Sequence, residues 1–191
     1  MIDKRLEILK SGKELFEKKG FKKTNVAGIT QLAGMATGTF YNYFTSKNDL
    51  FMELFIEENR LLKKNIMNQV DLEGHPLEVI RQLMYLNMKG MKDNPILKEW
   101  YNRDVFNKIE QIYREENGKE HTDFVYDAFI DVILKWQKDE KLRSDIHAEM
   151  IMAIFTALIS VDTHKDEIGL EHFPEIMNHL VRFTMEGLMQ V

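Results

Sequence analysis

Apolar residues recur at helical spacing along most of the chain, and the elements they predict are nearly all helices. Ile8, Leu9, Gly12, Leu15 and Phe16 form one stripe of an amphipathic first helix. Gly20 suits the left-handed position that closes such a helix, with Phe21 placed to touch Phe16. Thr24 stands as the cap of a short second helix whose inner face is Val26, Ile29, Thr30 and Ala33. Gly34 ends that helix, since glycine takes a positive φ without strain. A third short helix is expected over residues 37–44. Ser46 and Asp49 are then spaced as a capping box opening a long helix. Its apolar set, Phe51, Leu54, Phe55, Leu61 and Leu62, keeps the period almost to Val70. At ~1.5 Å per residue that helix is about 36 Å long, enough to link two regions.

Beyond it, turn signals at "DLEGHP" (71–76), "KDNP" (92–95), "ENGK" (116–119) and "DEKLRSD" (139–145) divide the rest into five or six helices. The three prolines, 76, 95 and 174, interrupt no long periodic run. The segment "MIMAIFTALISV" (150–161) is apolar almost all round and so needs partners on every face. The last helix opens with Pro174 in its first turn and carries Ile176, Met177, Leu180, Val181, Thr184 and Leu188. The expected fold is therefore all-α. A three-helix head, residues 1–46, is joined by a long helix to a helical body within residues 47–191.

Composition supports a buried core, with 44% hydrophobic and 30% charged residues. There is no cysteine, which excludes disulfides, thiolate metal sites and cysteine nucleophiles and makes a reducing, cytoplasmic setting the natural one. The longest apolar run falls short of the ~20 residues of a membrane span. The charged first residues lack the apolar core of a secretion signal, so neither export nor membrane insertion is expected. Net charge, −5 at pH 7, alone argues against nucleic acid. Its distribution argues the other way: residues 1–50 carry nine Lys or Arg against five Asp or Glu, and the remainder 17 against 26. A positive head on a negative body is the asymmetry expected where only the head meets a polyanion, although a solvated helix face gives the same imbalance.

Two short helices joined through a glycine turn and buttressed by a first helix describe a helix-turn-helix. In "GMATGTFYNYFTSKNDLF" (34–51), Phe40 and Phe44 lie four apart and belong on the core face. Tyr41 and Tyr43 then flank the seam with hydroxyls able to reach phosphate. Thr37, Thr39 and Asn42 project elsewhere as small polar groups able to meet base edges in a major groove. Lys47 adds a cation at the start of the long helix.

The stretch "TNVAGITQLAGMATGTFYNYFTSKNDLF" resembles the DNA-binding signature of the TetR family of bacterial transcriptional regulators, over about residues 8–55. The resemblance implies that Thr24 and Asn25 approach the DNA backbone, that Thr37, Thr39 and Asn42 read bases, and that Tyr43 and Lys47 clamp phosphates. The sequence departs from the family pattern at Ala36, where serine is usual, and at Thr37, where a basic residue is common. Ala27 and Gly28 replace a basic and an acidic residue. Ala36 has no side-chain oxygen for capping, so Thr37 is expected to cap the third helix and to be partly committed to the fold.

In the body, the resemblance implies that the last two helices pair with their copies in a homodimer, through Ile151, Ala153, Ile154, Ala157, Leu158, Met177, Leu180, Val181, Thr184 and Leu188. A single packed monomer core is the competing reading. Two-fold symmetry would match a palindromic operator in double-stranded DNA. Met84, Met88, Met91, Trp100, Phe106, Phe124 and Phe129 form a soft, aromatic-rich set that is ordinary core on composition alone. With the resemblance, Met84, Met88, Trp100, Phe106, Phe124 and Phe129 become candidates to line a pocket for a mainly apolar small-molecule effector.

Nothing in the chain points to catalysis. There is no nucleophile-elbow, phosphate-loop or dinucleotide glycine motif, and no serine is paired with a histidine at a recognisable spacing. Asp162, His164 and Asp166 are read as a solvated turn, so no metal and no cofactor is expected. The sequence thus reads as a homodimeric repressor released from its operator by a small apolar ligand. Two other readings stay open: a DNA-binding dimer answering a partner protein, and a helical bundle in which the helix-turn-helix pattern is a decoy.

Overall fold

A computed structural model describes residues 3–102, 105, 123–161, 168 and 171–189, with the backbone alone at 123–125 and 174. Its helices are α1 (Lys4–Lys23), α2 (Val26–Leu32), α3 (Thr37–Phe40), α4 (Lys47–Gln69), α5 (Pro76–Asp93), a 3-10 turn (Leu97–Tyr101), α6 (Asp123–Lys138), α7 (Ala148–Val161) and α8 (Phe173–Leu188). No strand occurs among the described residues, and the all-α expectation holds. The turn expected at 116–119 and the cluster Asp162, His164 and Asp166 lie outside the described residues. Contacts divide the chain into two compact units, one within residues 1–62 and 89–121, the other within 63–88 and 122–191.

The first unit is built on an aromatic ladder. Phe51 meets Phe16 edge-on at 5.0 Å between ring centroids and Phe21 at 4.8 Å. Phe55 continues the ladder at 6.3 Å from Phe51 and stacks on Trp100 at 5.9 Å. Phe16 and Phe21 stack at 5.9 Å, the contact the sequence predicts. The turn between them differs from expectation. Gly20 has φ 75° and ψ 169°, a conformation confined to glycine, rather than the left-handed helical geometry of a standard helix close. This breaks α1 and frees the Phe21 amide, which donates to Glu99 Oε1 at 2.9 Å. Gly34 takes the expected positive φ, 66°, after α2.

Three local expectations need correction. Thr24 does not cap α2. It is buried, and its hydroxyl donates to the Leu15 and Gly20 carbonyls at 3.2 and 2.9 Å. Asn25 is the cap, accepting from the Gly28 amide at 2.8 Å. Helix α3 also stops at Phe40 rather than 44, although the Phe44 amide still donates to the Phe40 carbonyl at 3.0 Å and keeps both rings in the core. Finally, no side chain caps α3. Thr37 starts that helix instead, with its hydroxyl 3.4 Å from that of Thr30.

The start of α4 follows the predicted box. The Asp49 amide donates to Ser46 Oγ at 3.2 Å, and its carboxylate accepts from the Thr45 amide at 3.1 Å. Burial pushes the Asp49 carboxyl up, but the hydrogen bonds from Thr45 and Ser46 outweigh it and hold the group below its ordinary range.

In the second unit, α6 packs on α7, with Phe129 and Phe155 edge-to-face at 6.4 Å. The turn at 139–147 is latched by the Gln137 side-chain amide, which donates to the Arg143 and Ile146 carbonyls at 2.8 Å each. Glu140 sits in this turn with φ 58°, where the Lys141 amide returns to the Trp136 carbonyl at 2.8 Å. An L-residue there carries the strain that glycine avoids, so Glu140→Gly is expected to stabilise the protein by about 1 kcal/mol, its greater freedom when unfolded offsetting part of the gain. Chemical denaturation measures this. An unchanged or lower stability would refute the strain argument.

Helix α7 is not buried on every face. Ala148, Ile151, Phe155 and Leu158 point into the unit, whereas Met150, Ala153 and Ala157 are exposed and Ile154 is half-buried. On α8, Phe173, Met177, Val181, Met185 and Leu188 are buried, Leu180 and Thr184 half-buried, and Phe183 exposed. The interface expected from sequence thus splits in two. Ile151, Leu158, Met177, Val181 and Leu188 are core of a single chain, because each helix turns one stripe at i, i+3/i+4 spacing inward. Ala153, Ile154, Ala157, Leu180 and Thr184 remain available, joined by Met150 and Phe183.

Candidate DNA-reading surface and body cavity

The head presents its reading residues by burying their neighbours. Phe40 and Phe44, both core, stand 5.6 Å apart and pin α3 and the turn that follows it. With those positions spent inward, Thr37, Tyr41, Asn42 and Tyr43 are exposed and Thr39 is half-buried. The tyrosines are 58% and 41% exposed, too open for core residues. Asn25, exposed at the start of α2, spends its side-chain oxygen on the cap.

Two of the residues expected to grip phosphate have structural duties. Thr24 is closed off, as described above. Lys47 donates to the Phe21 and Thr24 carbonyls, both at 2.8 Å, and lies over the Phe21 ring at 4.1 Å from its centroid. Its ammonium thus ties the first turn of α4 to the chain between α1 and α2. A lysine at this point meets two carbonyls where α1 ends, a role that charge patterning does not display.

The second unit contains a cavity of about 90 Å³ lined from α4, α5, α6 and α7. Met84 and Phe129 line it as expected, and Met88 lines a smaller neighbouring void with Met84, Asn87, Ile159 and Met177. Trp100 is a correction: it belongs to the first unit, stacked on Phe55. Phe106 lies outside the described residues, and of Phe124 the backbone alone is described. The remaining lining includes Ile66, Met67, Ile80, Leu83, Met152, Phe155 and Ile159, interrupted by Lys63, Asn87 and Thr156. Lys63 Nζ donates to Asn87 Oδ1, and burial pushes the ammonium down to about 8.

Residues 8–54 match the family model of the bacterial regulatory proteins, tetR family. The HTH-type transcriptional regulator YerO of Bacillus subtilis is 25% identical over 99% of this chain and 70% of its own length. Residues 8–54 thus carry the DNA-binding segment of the tetR family. A solved TetR-family structure from Syntrophomonas wolfei superposes with a TM-score of 0.60 at 24% identity, over 99% of this chain and 98% of that one. The fatty acid metabolism regulator of B. subtilis is 34% identical over 55 residues, 29% of this chain and 28% of its own length. The head of the chain is similar to the DNA-binding region of transcriptional regulators, and the full-length relative YerO is named as an HTH-type transcriptional regulator. No described helix is long and apolar enough to cross a membrane.

Sequence reasoning missed Lys63 and Asn87. The signal was present for the first of them: Lys63 shares a helical stripe with Ile66, Met67 and Val70, an unusual place for a cation. Asn87 had no such mark, because only folding brings α5 against that point of α4.

Proposed function

We propose that this protein is a TetR-family transcriptional regulator, a cytoplasmic homodimer that represses transcription from a palindromic operator and is released by a small, mainly apolar ligand. Residues 1–46 act as the DNA-binding domain and 47–191 as the ligand-binding and dimerisation domain. The observation that carries the reading is the head: exposed Tyr41, Asn42 and Tyr43 stand over a closed aromatic core, on a segment with no other use for them. Thr37, Thr39 and Asn42 read base edges, Tyr41 and Tyr43 hold phosphates, and Asn25 adds a backbone contact through its exposed end. Thr24 and Lys47 support this surface from behind. The copies meet through the outer stripes of α7 and α8, where Met150 and Phe183 are 59% and 57% exposed. The cavity supports the effector reading by itself, since the relative named for fatty acid metabolism matches only 29% of the chain. Its occupation favours a body conformation that moves the two heads off the half-site spacing of ~34–36 Å.

Selection of bound duplexes from a random library at moderate salt tests the reading. Enrichment of a palindrome with half-sites about one helical turn apart is the expected result. Binding with no preferred sequence, vanishing as salt rises, would leave only a phosphate grip and refute it. On the selected site, Tyr43→Ala weakens binding to all sequences alike and flattens the salt dependence, whereas Asn42→Ala changes which sequence is preferred, each good base contact being worth about 1–3 kcal/mol of discrimination. An even loss over every site for Asn42→Ala would remove it from the base-reading set.

A further inference from the structure

Among the described residues that line the cavity of the second unit, Lys63 carries a charge and none carries the opposite one. Lys63 enters it from α4, and its partner among the described residues is the side-chain oxygen of Asn87, a neutral acceptor. The other lining residues from α4, α5, α6 and α7 carry no ionisable side chain. A cation buried against one amide and a methionine-rich wall is costly, which is why burial depresses its ammonium to about 8. A purely structural core would do better with an aliphatic residue at this position. An arriving anion would restore the missing half of the pair and accept a charge-assisted hydrogen bond.

Resting on the reading of this cavity as the effector site, we propose that its occupant is an amphipathic anion, with a compact anionic end group at Lys63 and Asn87 and an apolar body among Ile66, Met67, Met84, Phe129 and Phe155. Three features of the site fit this class. The polar groups are few, and Lys63 and Asn87 meet each other, as in sites that orient a ligand by its head. The empty volume, about 90 Å³, is smaller than the ~150 Å³ of an engineered cavity that takes benzene, so a longer body enters by displacing wall atoms. Met67, Met84 and Met152 supply walls that can move, being unbranched and adaptable.

The test uses the full chain and three probes sharing one alkyl chain: octanoate, 1-octanol and octylamine, titrated calorimetrically below their aggregation limits. Octanoate is expected to bind about tenfold or more tighter than 1-octanol, the gain of a charge-assisted hydrogen bond over a neutral one, with octylamine weakest. In Lys63→Met, octanoate should lose that advantage while 1-octanol binds as before or better. A carbon-13 label on the lysine side chains adds a reading that a merely structural Lys63 would not give: bound octanoate should raise the Lys63 titration above its unliganded value. Equal affinity for octanoate and 1-octanol in the unaltered protein would overturn the anionic head group while leaving the apolar effector cavity standing. Tight octylamine binding would overturn it as well. Binding of none of the three would overturn both the head group and the effector reading of the cavity.

Discussion

Phe51→Ala destabilises the unit that carries the reading head by about 3–5 kcal/mol, the range for deleting a buried phenylalanine from a close-packed core. Phe51 is the node of the aromatic ladder, with three rings around it at 5.0, 4.8 and 6.3 Å and 1% of its surface exposed. Edge-to-face pairs of this kind add roughly 0.5–1.5 kcal/mol each beyond the area they bury. The ladder ties α1 to α4, so the cavity left behind is walled by elements that cannot easily close on it. Against a whole-domain stability of about 5–15 kcal/mol the loss is large, and DNA binding should fade with the folded head. Each unit contains one of the two tryptophans, Trp100 in the first and Trp136 in the second. Urea denaturation followed by Trp100 emission in a Trp136→Phe background therefore reports the first unit by itself. A loss under ~1 kcal/mol would show that the ladder is not what holds the head.

Replacing both members of the polar pair in the second unit has the opposite sign. Lys63→Met with Asn87→Leu is expected to stabilise the protein at pH 7 by up to about 3 kcal/mol, from a depression of the ammonium to about 8 at 1.36 kcal/mol per pH unit. Changing both residues matters, because Lys63→Met alone leaves the buried Asn87 oxygen without its donor. The pH dependence follows from linkage. Between about 8 and the ordinary lysine value of 10.5, the unfolded chain holds a proton that the folded chain has released, so stability of the unaltered protein rises with pH across that window. Below it both states are protonated and the full cost of burying the charge is present. The advantage of the double variant should hence be constant below pH 8 and shrink toward zero by pH 10.5. Denaturation midpoints at pH 7 and pH 9.5 decide it: an advantage that does not narrow would mean that burial of the charge is not its source.

That a regulator keeps such a residue fits the general trade between stability and function. The same holds on a smaller scale for the exposed tyrosines of the head and the uncovered apolar stripes of α7 and α8. Each leaves apolar surface exposed that burial in the chain's own core would cover.

The sequence by itself determined the helices, the turn at Gly34, the aromatic pairing of Phe16 with Phe21 and the outward setting of Tyr41, Asn42 and Tyr43. All of these follow from periodicity and turn chemistry, which act over a few residues and are written in neighbouring positions. Tertiary structure alone decided what the polar groups do. Lys47 looks like a phosphate clamp, yet carbonyls more than twenty residues away claim its ammonium. Thr24 looks like a cap and is instead locked to α1, and Trp100 looks like pocket lining and is instead part of the ladder. Lys63 stands out in the apolar stripe of α4, but its partner is set only when α5 places Asn87 beside it. A hydrogen bond or buried charge depends on atoms brought together from distant parts of the chain, and periodicity carries no information about which of them will meet.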